Sequence, residues 1–347
     1  MGTLARAAAL THFAEVMRQL GGDPDKALRQ AGLRPAQLRE QDQLIDGTVA
    51  AQLLEDAAAS TGCESFGLRM AQSRQPSNFG MVSLLLLHQP SLRHVLATLI
   101  EHLHLVNESL VIAMEDAGDV VLLRQDFVAP RPMRQSLELA VGVLYRMCET
   151  LLHDRWQPQS VRFCHAAPRD ASVHKRMFRC RVDFDAEFNG IVCRAADLDV
   201  PNPLADPVLV RYAKKMVDAA PVGRATSTGQ QVRKAIYLTL PAGNATCARV
   251  AQGLGRSLRT LQRELDDEGL SFTALLAEVR SELAQRYVAN PRYGIGQISA
   301  MLGYGSHSAF TRWFTARFGC APEAWRAAHM QTRESSLAAA ARRPRVR

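Results

Sequence analysis

The chain runs to 347 residues, 47% of them apolar, with a formal net charge of +8 at pH 7. That length and apolar content suit two globular domains and argue against a spanning protein. The longest apolar run, MVSLLLL from Met81, falls far short of the roughly 20 residues that a bilayer requires.

The first 75 residues read mainly as helix. Leu10, Phe13, Val16, Met17 and Leu20 form one stripe that stops at Gly21 and Gly22, and further helical segments cover 24–31 and 49–60. After Asn78, Phe79 and Gly80 comes an apolar run expected to be buried, then a helix over 91–106. Strand patterns follow at 109–116 and 119–127, joined around Ala117 and Gly118 as a hairpin. A strongly apolar helix is predicted over 135–152, strands over 160–165 and 190–193, and a helix over 171–179 between them. Pro201, Pro203 and Pro207 lead to a helix over 208–218. The stretch 219–229, carrying Pro, Gly, Ser and Thr, reads as an interdomain linker, drawn at 221–228.

Two helix-turn-helix patterns follow. In the first, Cys247, Val250, Ala251 and Leu254 sit at helical spacing and are expected to pack inward. Gly255 supplies the turn, Ser257 the N-cap, and Leu258, Leu261 and Leu265 the buried stripe of a second helix. Its outer face offers Arg259, Gln262 and Arg263, with Thr260 beside them. Arginine suits the O6 and N7 acceptors of guanine, and glutamine suits N6 and N7 of adenine. Asp266, Asp267 and Glu268 repel phosphate, so only the first turns of this helix should enter a groove.

The second pattern repeats the first. Ile295, Ile298 and Leu302 face inward, Gly303 and Gly305 loosen the turn, and Ser306 or Gly305 caps the next helix, Ser306 being preferred. Phe310, Trp313, Phe314 and Phe318 should face the core. Ser306, His307, Ser308, Thr311 and Arg312 should face outward, with Thr315. Any one of these polar residues also suits a merely solvated helix face. Two such faces in tandem point to double-stranded DNA read at two successive major-groove segments.

The region from about 229 to 326 resembles the DNA-binding domain of AraC/XylS-type transcriptional regulators. The resemblance rests on Leu261, Gln262, Arg263 and Gly269 in the first unit. In the second it rests on Ile295, Ile298, Leu302, Gly303, Tyr304, Ser306, Phe310, Arg312, Phe314, Phe318, Gly319, Pro322 and Arg326. It implies a long helix joining the units, here SFTALLAEVRSELAQRYVANP, capped by Ser271 and ended before Pro291. Two positions depart from the family pattern. Ser299 replaces a usual alanine and should bond back to a carbonyl. Ala321 replaces a usual serine or threonine cap, a loss of about 1 kcal/mol. More loosely, residues from about 15 to 215 resemble the arabinose-binding-domain-like region of one AraC-type subfamily, chiefly through SVRFCHAAPRDASVHKRMFRCRVDFDAEFNGIVCRAADLDVPNPLADPVL. That resemblance implies effector sensing or dimerisation and transfers no ligand-contacting residue.

Charge follows the same division. Residues 1–228 carry about 25 basic against 26 acidic side chains, 229–330 about 12 against 7, and the last 17 about 5 against 1. The positive charge therefore gathers where phosphate would be met. Enzyme chemistry finds no foothold: there is no G-x-S-x-G, Walker loop or H-E-x-x-H. His88, His94, His102 and His104 lack a cysteine or carboxylate that would complete a ligand set, although Glu101 is near. Cys164 and His165, as strand neighbours, should point to opposite faces. Seven cysteines without C-x-x-C spacing fit reduced, buried thiols. The lack of a basic-then-apolar leader fits a cytoplasmic protein.

The expected protein has an α+β regulatory domain over 1–220 for effector sensing or dimerisation. An all-α domain over 229–328 follows, with two helix-turn-helix units joined by a long helix, and then a disordered basic tail over 331–347. It should be a sequence-specific transcription regulator, an activator among the roles expected, with activation or repression left open by these residues, and with no cofactor and no metal. Its partners would be operator DNA, a small-molecule effector, RNA polymerase and a second copy of itself. Two alternatives stay open: a constitutive DNA-binding regulator whose first domain only dimerises, and an enzyme–regulator fusion.

Overall fold

The computed structural model describes residues 3–128, 133–219, 227–243 and 245–341. The chain divides into two compact units, Met1–Thr226 and Ser227–Arg347.

The first unit is α+β. In chain order it contains β1 (Leu4–Arg6), α1 (Phe13–Gln19), α2 (Pro24–Gln30), α3 (Pro35–Arg39), β2 (Leu44–Asp46), α4 (Gly47–Thr61), α5 (Phe66–Gln72), α6 (Met81–Leu87) and α7 (Leu92–Glu101). There follow β3 (Leu110–Ala117), β4 (Val120–Phe127), α8 (Arg134–Leu152), β5 (Ser160–Arg162), α9 (Ser172–Phe178), β6 (Arg181–Asp183), β7 (Gly190–Arg194), α10 (Ala195–Leu198) and α11 (Pro207–Ala219). A five-stranded sheet has the order β3-β4-β7-β5-β6, antiparallel except where β6 lies parallel to β5. The β3–β4 hairpin closes on Gly118, whose φ of 73° meets a two-residue loop's need for a left-handed first residue. Along β4 the buried positions alternate as Val121, Leu123 and Gln125, the period of a half-buried strand.

Helix α8 is the centre of this unit. Val141, Leu144, Tyr145 and Cys148 are buried along it. It lies against α5 so closely that a Cβ on Gly67 would come within 2.0 Å of the Gln135 carbonyl oxygen. Only glycine permits that approach.

Several expectations need correction. The apolar run at 81–87 is helix α6, and Met81 and Leu84 on it are exposed. Helix α7 stops at Glu101 and continues as a short 3-10 turn over Leu103–Leu105. There Asn107 leaves the helix, pairs with Ala5 in a β-bridge and accepts the Ser109 and Leu110 N–H groups. Strand β5 ends at Arg162, so Cys164 and His165 lie beyond it. Instead, His165 Nε2 and the fully buried His174 Nε2 each lie 3.2 Å from Glu138 Oε1 on α8, which Arg134 also meets at 3.1 Å.

Among the described residues the second unit is helical, without strands: α12 (Thr228–Thr239), α13 (Cys247–Gly253), α14 (Leu258–Asp267), α15 (Phe272–Ala289), α16 (Ile295–Met301), α17 (His307–Phe318) and α18 (Pro322–Ala341). Of the residues assigned to the linker from sequence, Thr228 opens α12 and Ser227 is its N-cap. The Ser227 hydroxyl oxygen accepts the Gln230 N–H, and Glu268 accepts the Thr228 and Gly229 N–H groups. The rest of the linker, 221–226, lies outside the described residues. Helix α18 runs to Ala341, past the point at 331 where an irregular tail was expected. Its run of alanines is the strongest helix-forming composition available. The arginine-rich end at 342–347 lies outside the described residues.

Candidate functional site

The two helix-turn-helix units, α13–α14 and α16–α17, are built from the same local bonds. In each, the first helix ends at a glycine in left-handed conformation, Gly255 with φ 67° and Gly303 with φ 73°. The following residue returns a backbone N–H to the first helix, Arg256 to the Ala251 oxygen and Tyr304 to the Ser299 oxygen, both at 2.9 Å. The second turn is then one residue longer before its cap. Ser299 is placed for that extra residue: buried beneath the turn, its hydroxyl donates to the Ser306 carbonyl at 3.0 Å. The bond runs forward across the turn rather than back along the helix.

Both caps form as predicted. The Ser257 hydroxyl oxygen accepts the Thr260 N–H at 3.1 Å, and that of Ser306 accepts the Ala309 N–H at 3.2 Å. Each cap meets an N–H that would otherwise lack a partner at the helix start. Counted from these caps, Leu261 and Leu265 correspond to Phe310 and Phe314, and all four are buried. The same register places Arg263 opposite Arg312 and Gln262 opposite Thr311.

The remaining candidates follow from this frame. Ser257, Arg259, Gln262, Arg263, Ser306, His307, Ser308 and Arg312 are exposed, while Thr260 and Thr311 are half-buried. The Thr260 hydroxyl sits 2.8 Å from that of Ser257. The Thr311 hydroxyl is enclosed without a hydrogen-bond partner among the described residues, so it does not present itself outward. Leu258, expected in the buried stripe, is 44% exposed. Ser257, Leu258 and Arg259 are exposed together, so the whole first turn of α14 stands clear of the domain core. Trp313 and Phe318 are half-buried members of an aromatic cluster with Phe310, Phe314 and Tyr304.

The arginines divide into two sets. Arg233 pairs with Glu278 and Glu282, Arg256 with Glu264, and Arg280 donates to the Leu302 carbonyl while lying over the Tyr304 ring. Arg326, part of the family signature, fastens α18 to the end of α15 through the Val288 and Tyr293 carbonyl oxygens, at 2.8 Å each. These hold the scaffold. By contrast, Arg259, Arg263 and Arg312 are exposed and have no acidic partner among the described residues. Arg249, exposed in the first turn of α13, belongs with them. The sequence reading passed over it by looking for base contacts only on the second helix of each unit. Of the three acids closing α14, Glu268 is spent on capping α12.

Three of the histidines singled out earlier meet other groups. His88 meets the Leu204 carbonyl, His94 the Ser91 hydroxyl and His102 the Thr98 carbonyl. Among the described residues no group of three or more His, Cys, Asp or Glu is arranged to hold a metal ion. Nor is any described helix long and apolar enough to cross a membrane.

Comparison with known proteins accords with this architecture. Residues 21–202 match the family described as "Arabinose-binding domain of AraC transcription regulator, N-term", and residues 250–328 match "Helix-turn-helix domain". The HTH-type transcriptional regulator VirS of Mycobacterium tuberculosis is 27% identical over 331 residues, spanning 94% of this chain and 97% of that protein. The ornithine utilization regulator of Pseudomonas aeruginosa is 22% identical over 280 residues, spanning 80% and 83%. Among solved structures, the transcriptional regulator CdpR from Pseudomonas aeruginosa aligns at 19% identity over 89% of this chain and 96% of that one, with a TM-score of 0.43. With the first family matched over more than half its length and two capped helix-turn-helix units behind it, the chain belongs to the AraC family of DNA-binding transcription regulators.

Proposed function

We propose that this regulator reads DNA with the first turns of α14 and α17, set into two successive major-groove segments. Arg259, Gln262, Arg263 and Arg312 are the base-reading side chains, and Ser257, Thr260, Ser306, His307 and Ser308 bond phosphate or base edges around them. One observation carries the reading: two capped helix starts stand exposed with arginines that no carboxylate among the described residues neutralises. An exposed helix N-terminus also favours phosphate through its own dipole. Footprinting tests it. A single chain should protect about 20 base pairs on one face of the duplex, and protection confined to one groove segment defeats tandem docking.

Control by a small molecule bound in the first unit is part of the same proposal, supported by an apolar pocket within this unit. So is a homodimer. Helix α11 packs Ala213 and Val217 inward, while Tyr212 and Met216 on it are 58% and 55% exposed, with Val208 and Leu209 beside them. An amphipathic helix with a second apolar face left open suits a partner of the same kind. The experiment is light scattering on the full chain. Tyr212→Glu with Met216→Glu should turn a dimer into a monomer, and an unchanged mass removes α11 from the interface. An activator built this way would present a further surface to RNA polymerase, and reporter transcription in vitro separates activation from repression.

A further inference from the structure

Within the first unit, a cavity of about 120 Å³ lies between α4, α8, the β3–β4 hairpin and the turn after β1. Its walls are apolar, and four alanines, Ala8, Ala50, Ala51 and Ala140, leave room among larger residues such as Phe79 and Leu144. Against this apolar lining stand two polar side chains whose bonding is incomplete. Arg74 is 6% exposed. Its two Nη atoms donate to the Ala8 and Ala9 carbonyl oxygens, its Nε has no partner, and no carboxylate pairs with it among the described residues. The neighbouring Arg6 has Asp42 as counter-ion, so the site keeps a net positive charge. Burial, reinforced by that nearby Arg6 charge, lowers Arg74 to about 10, a second sign that a negative charge is wanted there.

Gln125 is the other group. It is 2% exposed, and its backbone N–H is bonded to the Asn189 carbonyl oxygen. Neither its amide nitrogen nor its amide oxygen has a partner among the described residues. A buried amide left unbonded is costly, and the cost vanishes when a ligand supplies both a donor and an acceptor.

We propose that this cavity binds a small carboxylic acid with a compact apolar body the size of one ring. Its carboxylate sits against Arg74, its body fills the alanine-lined space, and the Gln125 amide meets a further polar substituent. A void of this volume matches a benzene-sized group, and a guanidinium is the side chain best suited to a carboxylate. The inference rests on the reading of the first unit as an effector domain and adds the ligand's chemistry.

Benzoate and its neutral isostere benzamide are the probes, titrated calorimetrically into the full chain, with operator affinity measured on the same samples. Benzoate should bind about tenfold or more tightly than benzamide, as expected for one charge-assisted contact. Arg74→Gln should erase that difference, and Ala50→Leu should block both probes while leaving the circular dichroism unchanged. Because Arg74 also holds two backbone carbonyls, Gln125→Leu gives an independent check: it should remove any preference for 4-hydroxybenzoate over benzoate. Equal affinity for benzoate and benzamide, or no binding of either, overturns the proposal. Binding in the expected pattern with no change in operator affinity leaves the site standing and defeats effector control. Operator affinity that answers only to a neutral compound defeats the acid and keeps effector control.

Discussion

Arg263 and Arg312 occupy equivalent positions counted from the caps Ser257 and Ser306, whereas Arg259 has Ser308 as its counterpart. The two helices therefore share one cationic position and differ at another, which would let each groove segment specify a different base pattern. Arg259→Ala is expected to cost about 1–3 kcal/mol on the preferred site and to relax preference at one base pair. Titration of specific and scrambled duplexes at two salt concentrations measures this, and an equal loss on both would make Arg259 a phosphate anchor. Arg249→Ala should show the opposite signature, weakening all sequences and lowering the salt slope by about 1. A different residue governs the acid limit of the first unit. Burial by itself would raise Glu138, but the charges and close approach of His165 and His174 outweigh it and bring the carboxyl to about 2 from 4.5. Its folded-state value is depressed, so its contribution to stability is complete above about 4.5 and is lost as pH falls towards 2. Glu138→Gln should flatten the acid unfolding curve in that window while lowering stability near neutral pH. If the curve keeps its slope, other carboxylates set it.

Cavity and hairpin show what an element can reveal of itself in sequence. Gly118 between two alternating segments gives away the β3–β4 hairpin, and the apolar period of 135–152 gives away α8. The same α8 stripe carries a signal that went unread: Glu138 falls on the buried face with Val141, Tyr145 and Cys148. An acid in that register calls for buried partners, but His165 and His174 reach it only through the turns after β5 and into α9. Strands β1, β2 and β6 have three residues each, too short for a period, and their pairing is decided by tertiary contact. Exposure of Leu258 was equally hidden, since spacing assigns a residue to a face but not to the end of a helix that stands clear of the core. The cavity has a consequence for stability. Ala50→Leu adds apolar volume to its wall and should stabilise the unit by about 0.5–2 kcal/mol in the absence of ligand, read as a higher urea midpoint at unchanged slope. A lower midpoint would mean that the surrounding helices cannot accept the added volume.

At the scale of the molecule, charge and fold divide at the same place. The unit ending at Thr226 is close to neutral, and the positive charge belongs to the unit beginning at Ser227. Each unit has its own buried residues, such as Leu123 and Val141 in the first and Leu261, Val279 and Phe314 in the second. Helix α15 buries Leu275, Val279, Leu283, Tyr287 and Val288, so the frame that spaces the two helix-turn-helix units lies wholly within the second. On the proposed reading, base preference depends on that spacing and on the side chains of α14 and α17, none of which the first unit supplies. A fragment of residues 227–347 is therefore expected to select the same operator as the full chain. If the first unit holds the proposed dimer together, the fragment's affinity should fall, because two DNA-binding domains no longer joined lose effective concentration, and its response to any effector should disappear. Selection of binding sites from a random duplex pool, run in parallel on fragment and full chain, makes the comparison. Matching sequence logos with weaker fragment binding support the division of labour, whereas a different preferred sequence would mean that the first unit takes part in reading DNA.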